Sequence, residues 1–288
     1  MHLSGHARVF GLFGDPVCHS LSPCMQNQTF RKYNIDAVYV PYHVLPNQLP
    51  GAVEGIRCLG LSGVNITVPH KEAILPFLDE VDPAARLIGA VNTIINSNGL
   101  LKGYNTDASG FIRSIQECSN FVIPGKRALI LGAGGASRAA LVALAGAGIR
   151  TIMLANRTKE RAQLLVEDLG RHFPKVQLVF VTYDDTDYFS FLAEADLVVN
   201  TTSVGLKNEE ISFLPLECIK GGALIYDMVY SLSETPLIKM ACSCGLSSLD
   251  GLGMLAAQGE DAFALWTGVK PEAGFMRQVL EECRSIAQ

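Results

Sequence analysis

Residues 127–141 of the chain, RALILGAGGASRAAL, decide the fold. An apolar run leads into a glycine-rich turn, and an alanine-rich segment follows the turn directly. A strand, a glycine turn and a helix start in this order form the context of a dinucleotide-binding fingerprint. The glycines let the backbone approach a pyrophosphate, and the N–H groups and dipole at the helix start bind that anion. The stretch therefore predicts a dinucleotide site on five turn residues: Gly132, Ala133, Gly134, Gly135 and Ala136.

The segments beyond this turn alternate apolar runs with helical patterns. TIMLANR (151–157) precedes KERAQLLVEDLGRHF (159–173), and the apolar runs VQLVFV, ADLVVNTT and ALIYDMVY follow in the chain. Alternation of this kind is typical of an α/β fold with parallel strands. Together with the glycine turn, it predicts a doubly wound dinucleotide domain.

The first part of the chain alternates in the same way. Apolar runs at 7–12, 37–44 and 63–69 predict strands, with helical segments between them. Asn98-Gly99 joins two further apolar runs, and Asn-Gly in that setting predicts a β-hairpin. Pro124-Gly125 interrupts the pattern and marks a joint between two domains. The predicted fold class is therefore α/β, with a mainly parallel sheet in each of two domains.

Length and composition exclude several classes of protein. A chain of 288 residues suggests about two domains of ~150 residues each. Hydrophobic residues make up 49% and charged residues 18%, so the chain can form a large core. The net charge of −5 does not suit a nucleic-acid binder, which needs a basic surface.

No apolar run approaches the ~18 residues of a membrane span. The N-terminal stretch also lacks the pattern of a signal peptide, so we expect a cytoplasmic protein with no membrane partner. The eight cysteines form no CxxC pair and no histidines have ligand spacing. We therefore expect no metal site, and we expect every cysteine to be reduced.

The residues at the end of the second predicted strand of the dinucleotide domain indicate whether the cofactor is NAD or NADP. NAD enzymes usually place an acid there to hold the ribose 2′-hydroxyl. Here the strand ends in Ala155-Asn156-Arg157-Thr158, and no acid precedes Glu160. Residues 126–161 contain seven basic residues and one acid, a local reversal of the overall charge. An arginine at this place attracts a 2′-phosphate, so the pattern predicts NADP rather than NAD.

Polar residues cluster where the predicted strands of the first domain end. The clusters are Ser20-Leu21-Ser22-Pro23, Asn65 to Lys71, Asn92-Thr93 and Asn105-Thr106-Asp107. Most of these residues have a simple structural interpretation as helix caps or turn residues. Lys71 is different, because a cation at a helix N-terminus opposes the helix dipole. We therefore interpret the clusters together as a candidate substrate site, which includes Asn65.

Nine separated motifs, in order, resemble the shikimate dehydrogenase family, and the resemblance runs from about Val9 to Gly268. The motifs are GDPVCHSLSPCMQN (14–27), GVNITVPHK (63–71), GAVNT (89–93), GYNTDASG (103–110), GAGGASRAA (132–140), ANRT (155–158), VNTTSVG (199–205), YDMVY (226–230) and DGLGMLAAQG (250–259). The resemblance implies NADP-dependent interconversion of 3-dehydroshikimate and shikimate in aromatic amino-acid biosynthesis. Gln26 departs from the family pattern, in which a histidine is frequent.

The same resemblance implies an arrangement of domains. Residues 1–106 would form a substrate-binding catalytic domain, and residues 107–245 the NADP-binding Rossmann-like domain. Residues 246–288 would form C-terminal helices that return to the substrate domain, with the active-site cleft between the two domains. The expected partners are a small-molecule substrate and, in a homodimer, a second copy of the chain; a monomer is the other expectation.

The resemblance also implies roles for individual residues. Lys71 and Asp107 would form the catalytic pair. The substrate would contact residues from both domains, including two serines for its carboxylate: Ser20, Ser22, Thr67, Asn92, Tyr230 and Gln258. Besides the glycine turn, the cofactor would contact the ribose-phosphate segment and the nicotinamide side: Asn156, Arg157, Thr158, Thr201, Thr202, Ser203, Met228, Gly251 and Met254.

Three alternatives stay open. The first is an enzyme of the same fold that oxidises quinate or an amino analogue of shikimate, because Ser22 is no obvious barrier to the extra hydroxyl of quinate. The second is a non-catalytic, cofactor-binding sensor. The third is a methylenetetrahydrofolate dehydrogenase type of enzyme, which the paired serines and the Asn-Thr-Asp motif fit poorly.

Overall fold

The computed structural model describes residues 3–206, 209, 211–231 and 233–286. The chain divides into two compact units. The first unit runs to Gly110 and resumes at Leu255, and the second unit is Phe111–Met254. The C-terminal segment therefore belongs to the same unit as the N-terminal part of the chain.

The first unit contains a mixed six-stranded sheet. Its strands are β1 (Arg8–Gly14), β2 (Ala37–His43), β3 (Gly63–Ile66), β4 (Glu80–Val81), β5 (Thr93–Ser97) and β6 (Leu100–Tyr104). The strand order is β2-β1-β3-β5-β6-β4. β1 pairs in parallel with β2 and β3, β5 runs antiparallel to β3 and β6, and β4 is parallel to β6.

The predicted hairpin is confirmed. β5 and β6 pair with Ser97 opposite Leu100, so that two residues make the turn. Asn98 and Gly99 both have positive φ, at 54° and 92°. A two-residue turn of this kind matches the right-handed twist of the flanking strands. It requires positive φ at both residues, which Asn and Gly adopt with little conformational strain.

Among the described residues, seven helices lie wholly or partly in the first unit. They are α1 (Ser22–Lys32), α2 (Leu49–Cys58), α3 (His70–Ala73), α4 (Pro83–Ile88), α5 (Asp107–Cys118), α10 (Leu252–Thr267) and α11 (Phe275–Ile286). Aromatic rings pack the returning α10 against the sheet and against α1: between ring centroids, Trp266 lies 4.9 Å from Phe10 on β1, and Phe263 lies 5.2 Å from Phe30 on α1. Such pairs add about 0.5–1.5 kcal/mol each beyond their buried area.

Cys24 on α1 and Cys283 on α11 form a disulfide bond. The expectation that every cysteine is reduced is therefore wrong for this pair. The two residues are 259 positions apart in the chain, and only the packing of α1 beside α11 brings them together. Spacing along the sequence carries no sign of such a contact.

The second unit contains a six-stranded sheet in which every pair is parallel. Its strands are β7 (Arg127–Leu131), β8 (Thr151–Ala155), β9 (Gln177–Val181), β10 (Leu197–Asn200), β11 (Leu224–Asp227) and β12 (Ser247–Leu249). The order β12-β11-β10-β7-β8-β9 places β7 and β10 side by side at the point where the winding reverses. This is the doubly wound order, and it confirms the predicted fold class.

The helices of this unit connect the parallel strands: α6 (Gly135–Gly146), α7 (Lys159–Gly170), α8 (Thr186–Glu194) and α9 (Pro236–Ser243). The sequence pattern predicts neither α8 nor the short strands β4 and β12. Each of these elements has too few residues to show a clear period, and its neighbours in space stabilise it. Among the described residues, no helix has the length and apolar character needed to cross a membrane.

We predict that Gly63→Ala destabilises the first unit by about 1–3 kcal/mol, the usual cost of overpacking. A Cβ at Gly63 would lie 2.3 Å from Nε1 of Trp266 and 2.8 Å from the carbonyl oxygen of Ile94. Those two atoms form the hydrogen bond that joins α10 to β5, at 3.0 Å. Gly55→Ala in α2 is the control, because its Cβ meets nothing within 4 Å. Urea unfolding of both variants checks the prediction, and equal stability would contradict it.

Candidate active site

The polar clusters of the first unit meet at one edge of its sheet. β1 and β3 are parallel, and β6 runs in the same direction as β3 because both are antiparallel to β5. The carboxyl ends of β1, β3 and β6 and the start of β5 therefore share an edge. Loops at the carboxyl ends of parallel strands are the usual place for ligands in open α/β sheets.

Lys71, Asn92 and Asp107 come together at this edge. Nζ of Lys71 donates to Oδ2 of Asp107 at 2.8 Å, and Nδ2 of Asn92 donates to Oδ1 of the same carboxylate at 2.8 Å. The Asp107 side chain is 6% exposed and that of Lys71 17%. Burial of a carboxylate is costly unless charge and hydrogen bonds compensate it, and here each oxygen has a donor. The pair predicted from Lys71 and Asp107 is thus present as a buried ion pair.

Ser20 and Ser22 lie at the start of α1, where the Ser22 amide donates to the Ser20 hydroxyl at 3.2 Å. Thr67 is half-buried just after β3, and its methyl group packs against Gly14 at the end of β1. Gln258 on α10 donates to the carbonyl oxygen of Leu255 in its own helix. All four residues belong to the first unit. The hydrogen bonds described here do not link any of them directly to Lys71.

Asn65 has a different environment from the other predicted substrate residues. Its Nδ2 donates to the carbonyl oxygen of Asn92 and to the hydroxyl of Thr93, both at 3.0 Å, and its Oδ1 accepts from the Tyr39 hydroxyl at 2.9 Å. Asn65 is only 6% exposed. Both of its amide protons are therefore used inside the protein.

In the second unit, the glycine turn lies between β7 and α6, next to the start of the loop after β10. A Cβ at Gly132, where φ is +107°, would lie 2.9 Å from Oγ1 of Thr201 and 3.1 Å from Cγ2 of Thr202. The Gly134 amide donates to the Ser137 hydroxyl at 3.2 Å, and that hydroxyl lies 2.5 Å from Oγ1 of Thr201. Ser137, in place of the third glycine of the fingerprint, thus joins the turn to the loop at β10.

The ribose-phosphate segment follows β8. Asn156 fixes its own turn by donating to the carbonyl oxygen of Thr158 at 2.8 Å, while Arg157 and Thr158 are exposed. Arg157 lines a surface cleft of about 490 Å³ with Thr182, Tyr183 and Asp184, which follow β9. The last three residues were not predicted, although they too come directly after an apolar strand. Burial raises the pKa of the Tyr183 hydroxyl to about 12, while the nearby Arg157 guanidinium opposes this shift.

The basic residues at 126–161 do not all face the predicted phosphate. Lys126 pairs with Asp196, Arg127 with Glu194, and Arg138 with Asp168. These pairs neutralise part of the local charge reversal. Arg157 and the basic residues that follow it, Lys159 and Arg161, are exposed.

Asp227, at the end of β11, is a buried acid that the sequence analysis did not single out. It is fully buried, and it accepts hydrogen bonds from Nδ2 of Asn200 at 2.9 Å, the amide of Val229 at 3.1 Å and the hydroxyl of Thr235 at 2.6 Å. Burial raises the pKa of Asp227 to about 6, although these three donors partly offset the effect. Asp250 adds to the rise by charge repulsion.

The Asp227 bonds hold together the segments predicted for the nicotinamide side. Oδ1 of Asn200 accepts from both the amide and the hydroxyl of Thr202. A Cβ at Gly251 would lie 2.3 Å from the carbonyl oxygen of Met228, so only glycine permits this approach of the two segments. Met254 is buried, Tyr230 is half-buried and Ser203 is exposed.

Three family models match the chain. The shikimate dehydrogenase substrate binding domain matches residues 12–94, shikimate / quinate 5-dehydrogenase matches 116–210, and the shikimate 5′-dehydrogenase C-terminal domain matches 251–281. The chain is also 47% identical to the shikimate dehydrogenase (NADP(+)) of Geobacter metallireducens, over 96% of this chain and 97% of that one.

The chain belongs to the shikimate dehydrogenase family. Solved structures of the shikimate dehydrogenase family agree with its fold. That of shikimate 5-dehydrogenase from Thermus thermophilus, in complex with NADP(H) and shikimate, is 37% identical with a TM-score of 0.84, over 98% of this chain and 100% of that one. Quinate dehydrogenase from Corynebacterium glutamicum, in complex with NAD, is 31% identical with a TM-score of 0.86, over 96% of this chain and 99% of that one. The predicted family and the two-domain α/β fold are thereby confirmed.

We predict that Asp227 makes the protein less stable as the pH rises from about 4 to about 6. The folded form keeps the proton in this range while the unfolded form has lost it, so the free energy of unfolding falls with pH, by up to about 3 kcal/mol. Asp227→Asn removes this dependence. Urea unfolding near pH 4 and near pH 7 measures the difference, with the exposed Glu217→Gln as control. Identical pH dependence in wild type and Asp227→Asn would contradict the prediction.

Proposed function

We propose that the protein catalyses the NADP-dependent interconversion of 3-dehydroshikimate and shikimate. The observation that carries this proposal is the buried ion pair of Lys71 and Asp107, whose polar atoms are 2.8 Å apart at the carboxyl edge of the sheet. Membership of the family, and relatives named for this activity along nearly their whole length, support it.

Reduction of a ketone to a secondary alcohol requires a hydride and a proton. When bound, the cofactor supplies the hydride, and it accepts a hydride in the reverse direction. The Lys71 ammonium polarises the carbonyl and donates the proton to its oxygen, and the resulting amine is reprotonated by solvent. Asp107 holds the ammonium in place and accepts a hydrogen bond from a neighbouring ring hydroxyl. Oxidation of the alcohol reverses each of these steps.

The remaining substrate contacts follow from the chemistry of a polyhydroxy acid. Ser20 and Ser22 bind the carboxylate through their hydroxyl groups. Thr67 binds ring hydroxyls, and Tyr230 and Gln258 provide further polar contacts. Asn65 and Asn92 are not included, because the amide protons of both are bonded within the protein, and we assign them positioning roles instead.

The second unit supplies the groups that fit a dinucleotide phosphate. In its turn, Gly132 approaches the side chains of Thr201 and Thr202 closely, and α6 begins at Gly135, where a helix start presents backbone N–H groups. Arg157 and its neighbours Asn156 and Thr158 hold the 2′-phosphate of the adenosine ribose. The nicotinamide end is bound by residues of three loops and of the first turn of α10: Thr201, Thr202, Ser203, Met228, Gly251 and Met254.

We assign the substrate contacts other than Tyr230 to the first unit, and the cofactor to the second. The expected domains at 1–106 and 107–245, with the returning segment 246–288, remain part of this proposal. A cytoplasmic location and the choice between monomer and homodimer stay predictions.

The second candidate function is the oxidation of quinate, supported by the similarity to a quinate dehydrogenase. Quinate carries its extra hydroxyl on the carbon that bears the carboxylate, where Ser22 would lie. The two candidates share the catalytic pair and the hydride transfer. They differ in the substrate, shikimate or quinate, whose carboxylate Ser20 and Ser22 bind.

Absorbance of NADPH during turnover tests the proposed function. We expect turnover with shikimate and NADP, and much slower turnover with quinate or NAD. Lys71→Met should lower kcat by ~10²–10⁴ with little change in KM, because the general acid is lost while the carboxylate contacts remain. Lys126→Met is the control, since Lys126 also pairs with an aspartate but lies outside the site. Near-normal kcat in Lys71→Met would overturn the mechanism, and turnover with quinate alone would favour the second candidate.

Arg157→Gln should raise KM for NADP by about tenfold or more, since a charge-assisted hydrogen bond contributes about 1.5–3 kcal/mol. KM for NAD, which lacks the phosphate, should change little. Arg150→Gln is the matched control, because Arg150 is equally exposed but precedes β8 rather than following it. Steady-state kinetics with both cofactors measure the effect. An equal change for NADP and NAD would show that Arg157 does not bind the phosphate.

A further inference from the structure

Behind the ion pair of the first unit lies a continuous chain of buried hydrogen bonds. It begins at Tyr39 on β2, which is 2% exposed and packs beside Trp266. The Tyr39 hydroxyl donates to Oδ1 of Asn65 on β3 at 2.9 Å. This bond fixes the orientation of the Asn65 amide, so that its two N–H bonds point toward Asn92 and Thr93.

Thr93, the first residue of β5, connects the Asn65 amide to the Asn92 amide through its hydroxyl. It is fully buried, and its hydroxyl accepts from Nδ2 of Asn65 at 3.0 Å. A hydroxyl has a single proton, and that of Thr93 is directed to Oδ1 of Asn92 at 3.0 Å, a shorter contact than the 3.5 Å to the hydroxyl of Thr106. Oδ1 of Asn92 therefore accepts from Thr93 and from the amide of Thr106.

The orientation of the Asn92 amide decides what Asp107 meets. With Oδ1 held by the Thr93 hydroxyl and the Thr106 amide, Nδ2 of Asn92 faces Oδ1 of Asp107 at 2.8 Å and the Thr106 hydroxyl at 3.0 Å. A flipped amide would place an oxygen against the carboxylate, and two acceptors in contact repel each other. The other carboxylate oxygen, Oδ2, is then left for Nζ of Lys71.

We infer that Thr93 is a positioning residue for the reaction: its hydroxyl, oriented by Tyr39 through Asn65, fixes the Asn92 amide and thereby the carboxylate that holds Lys71. The inference rests on the proposed function. Thr93 is buried behind Asn92, so it acts through Asn92 and does not itself contact the substrate. Its removal should therefore affect the reaction step more than substrate binding.

The test compares Thr93→Val, which keeps the shape but loses the hydroxyl, with Thr93→Ser, which keeps the hydroxyl. Thr29→Val on α1 is the matched control, since Thr29 is fully buried and its hydroxyl bonds only within its own helix, to Met25. We expect kcat of Thr93→Val to fall by about tenfold or more, with KM nearly unchanged. A tenfold fall corresponds to an activation free energy raised by about 1.4 kcal/mol, because the Asn92 amide is no longer held in position. Thr93→Ser and Thr29→Val should stay within about twofold of wild-type kcat.

A second readout does not depend on activity. In protein labelled with ¹⁵N-asparagine, the Asn92 side-chain amide, assigned by its loss in Asn92→Asp, should exchange its protons slowly in wild type and Thr93→Ser and faster in Thr93→Val. An unchanged Asn92 signal in Thr93→Val overturns the inference, even if wild type shows no turnover with shikimate. Equal kcat in Thr93→Val and Thr29→Val, or no recovery in Thr93→Ser, also overturns it. Lack of turnover in wild type, with the Asn92 change as expected, contradicts the proposed function alone.

Discussion

The first unit depends on the contacts of one buried carboxylate, that of Asp107. Lys71 and Asn92 each bring a donor to one of its oxygens, and these contacts compensate the cost of burying the group. Removing a partner of such a group leaves a charge without compensation, which is far more costly than losing an exposed ion pair. The elements that carry these three residues are therefore tied to one another. The β5–β6 hairpin sets Asn92 beside the start of α5, and the turn after β3 delivers Lys71 to the same place.

The second unit depends on close backbone approach rather than on charge. The turn at Gly132 lies against the loop after β10, and the segment at Gly251 lies against the carbonyl oxygen of Met228. Asp227 and Asn200 connect the loops through hydrogen bonds to each other, to Thr202 and to Val229. The two units thus position different groups: the first holds a charged pair, and the second holds backbone N–H groups and loop residues at fixed positions.

The candidate site was predictable where chemistry follows directly from position in the chain. The glycine turn, Arg157 after β8, and Lys71 against the dipole of a helix start each show a local pattern with few other interpretations. Thr93 and Asp227 show none, because a threonine at the start of a strand and an aspartate at the end of one are common. Their importance comes from neighbours on other strands. Asn65 illustrates the reverse case, since its place in a polar motif suggested substrate contact while its neighbours use all of its amide protons.

The sequence alone determined the alternation of strands and helices, the hairpin at Asn98-Gly99, the doubly wound unit and its family, because periodicity and turn chemistry are local properties of the chain. Only the tertiary structure decided the direction of the Asn92 amide, the pairing of Arg138 with Asp168 and the bond between Cys24 and Cys283. The physical reason is that a hydrogen bond, an ion pair or a disulfide needs two atoms within a few ångströms. Residues that are tens or hundreds of positions apart reach that distance only when the sheets and helices pack.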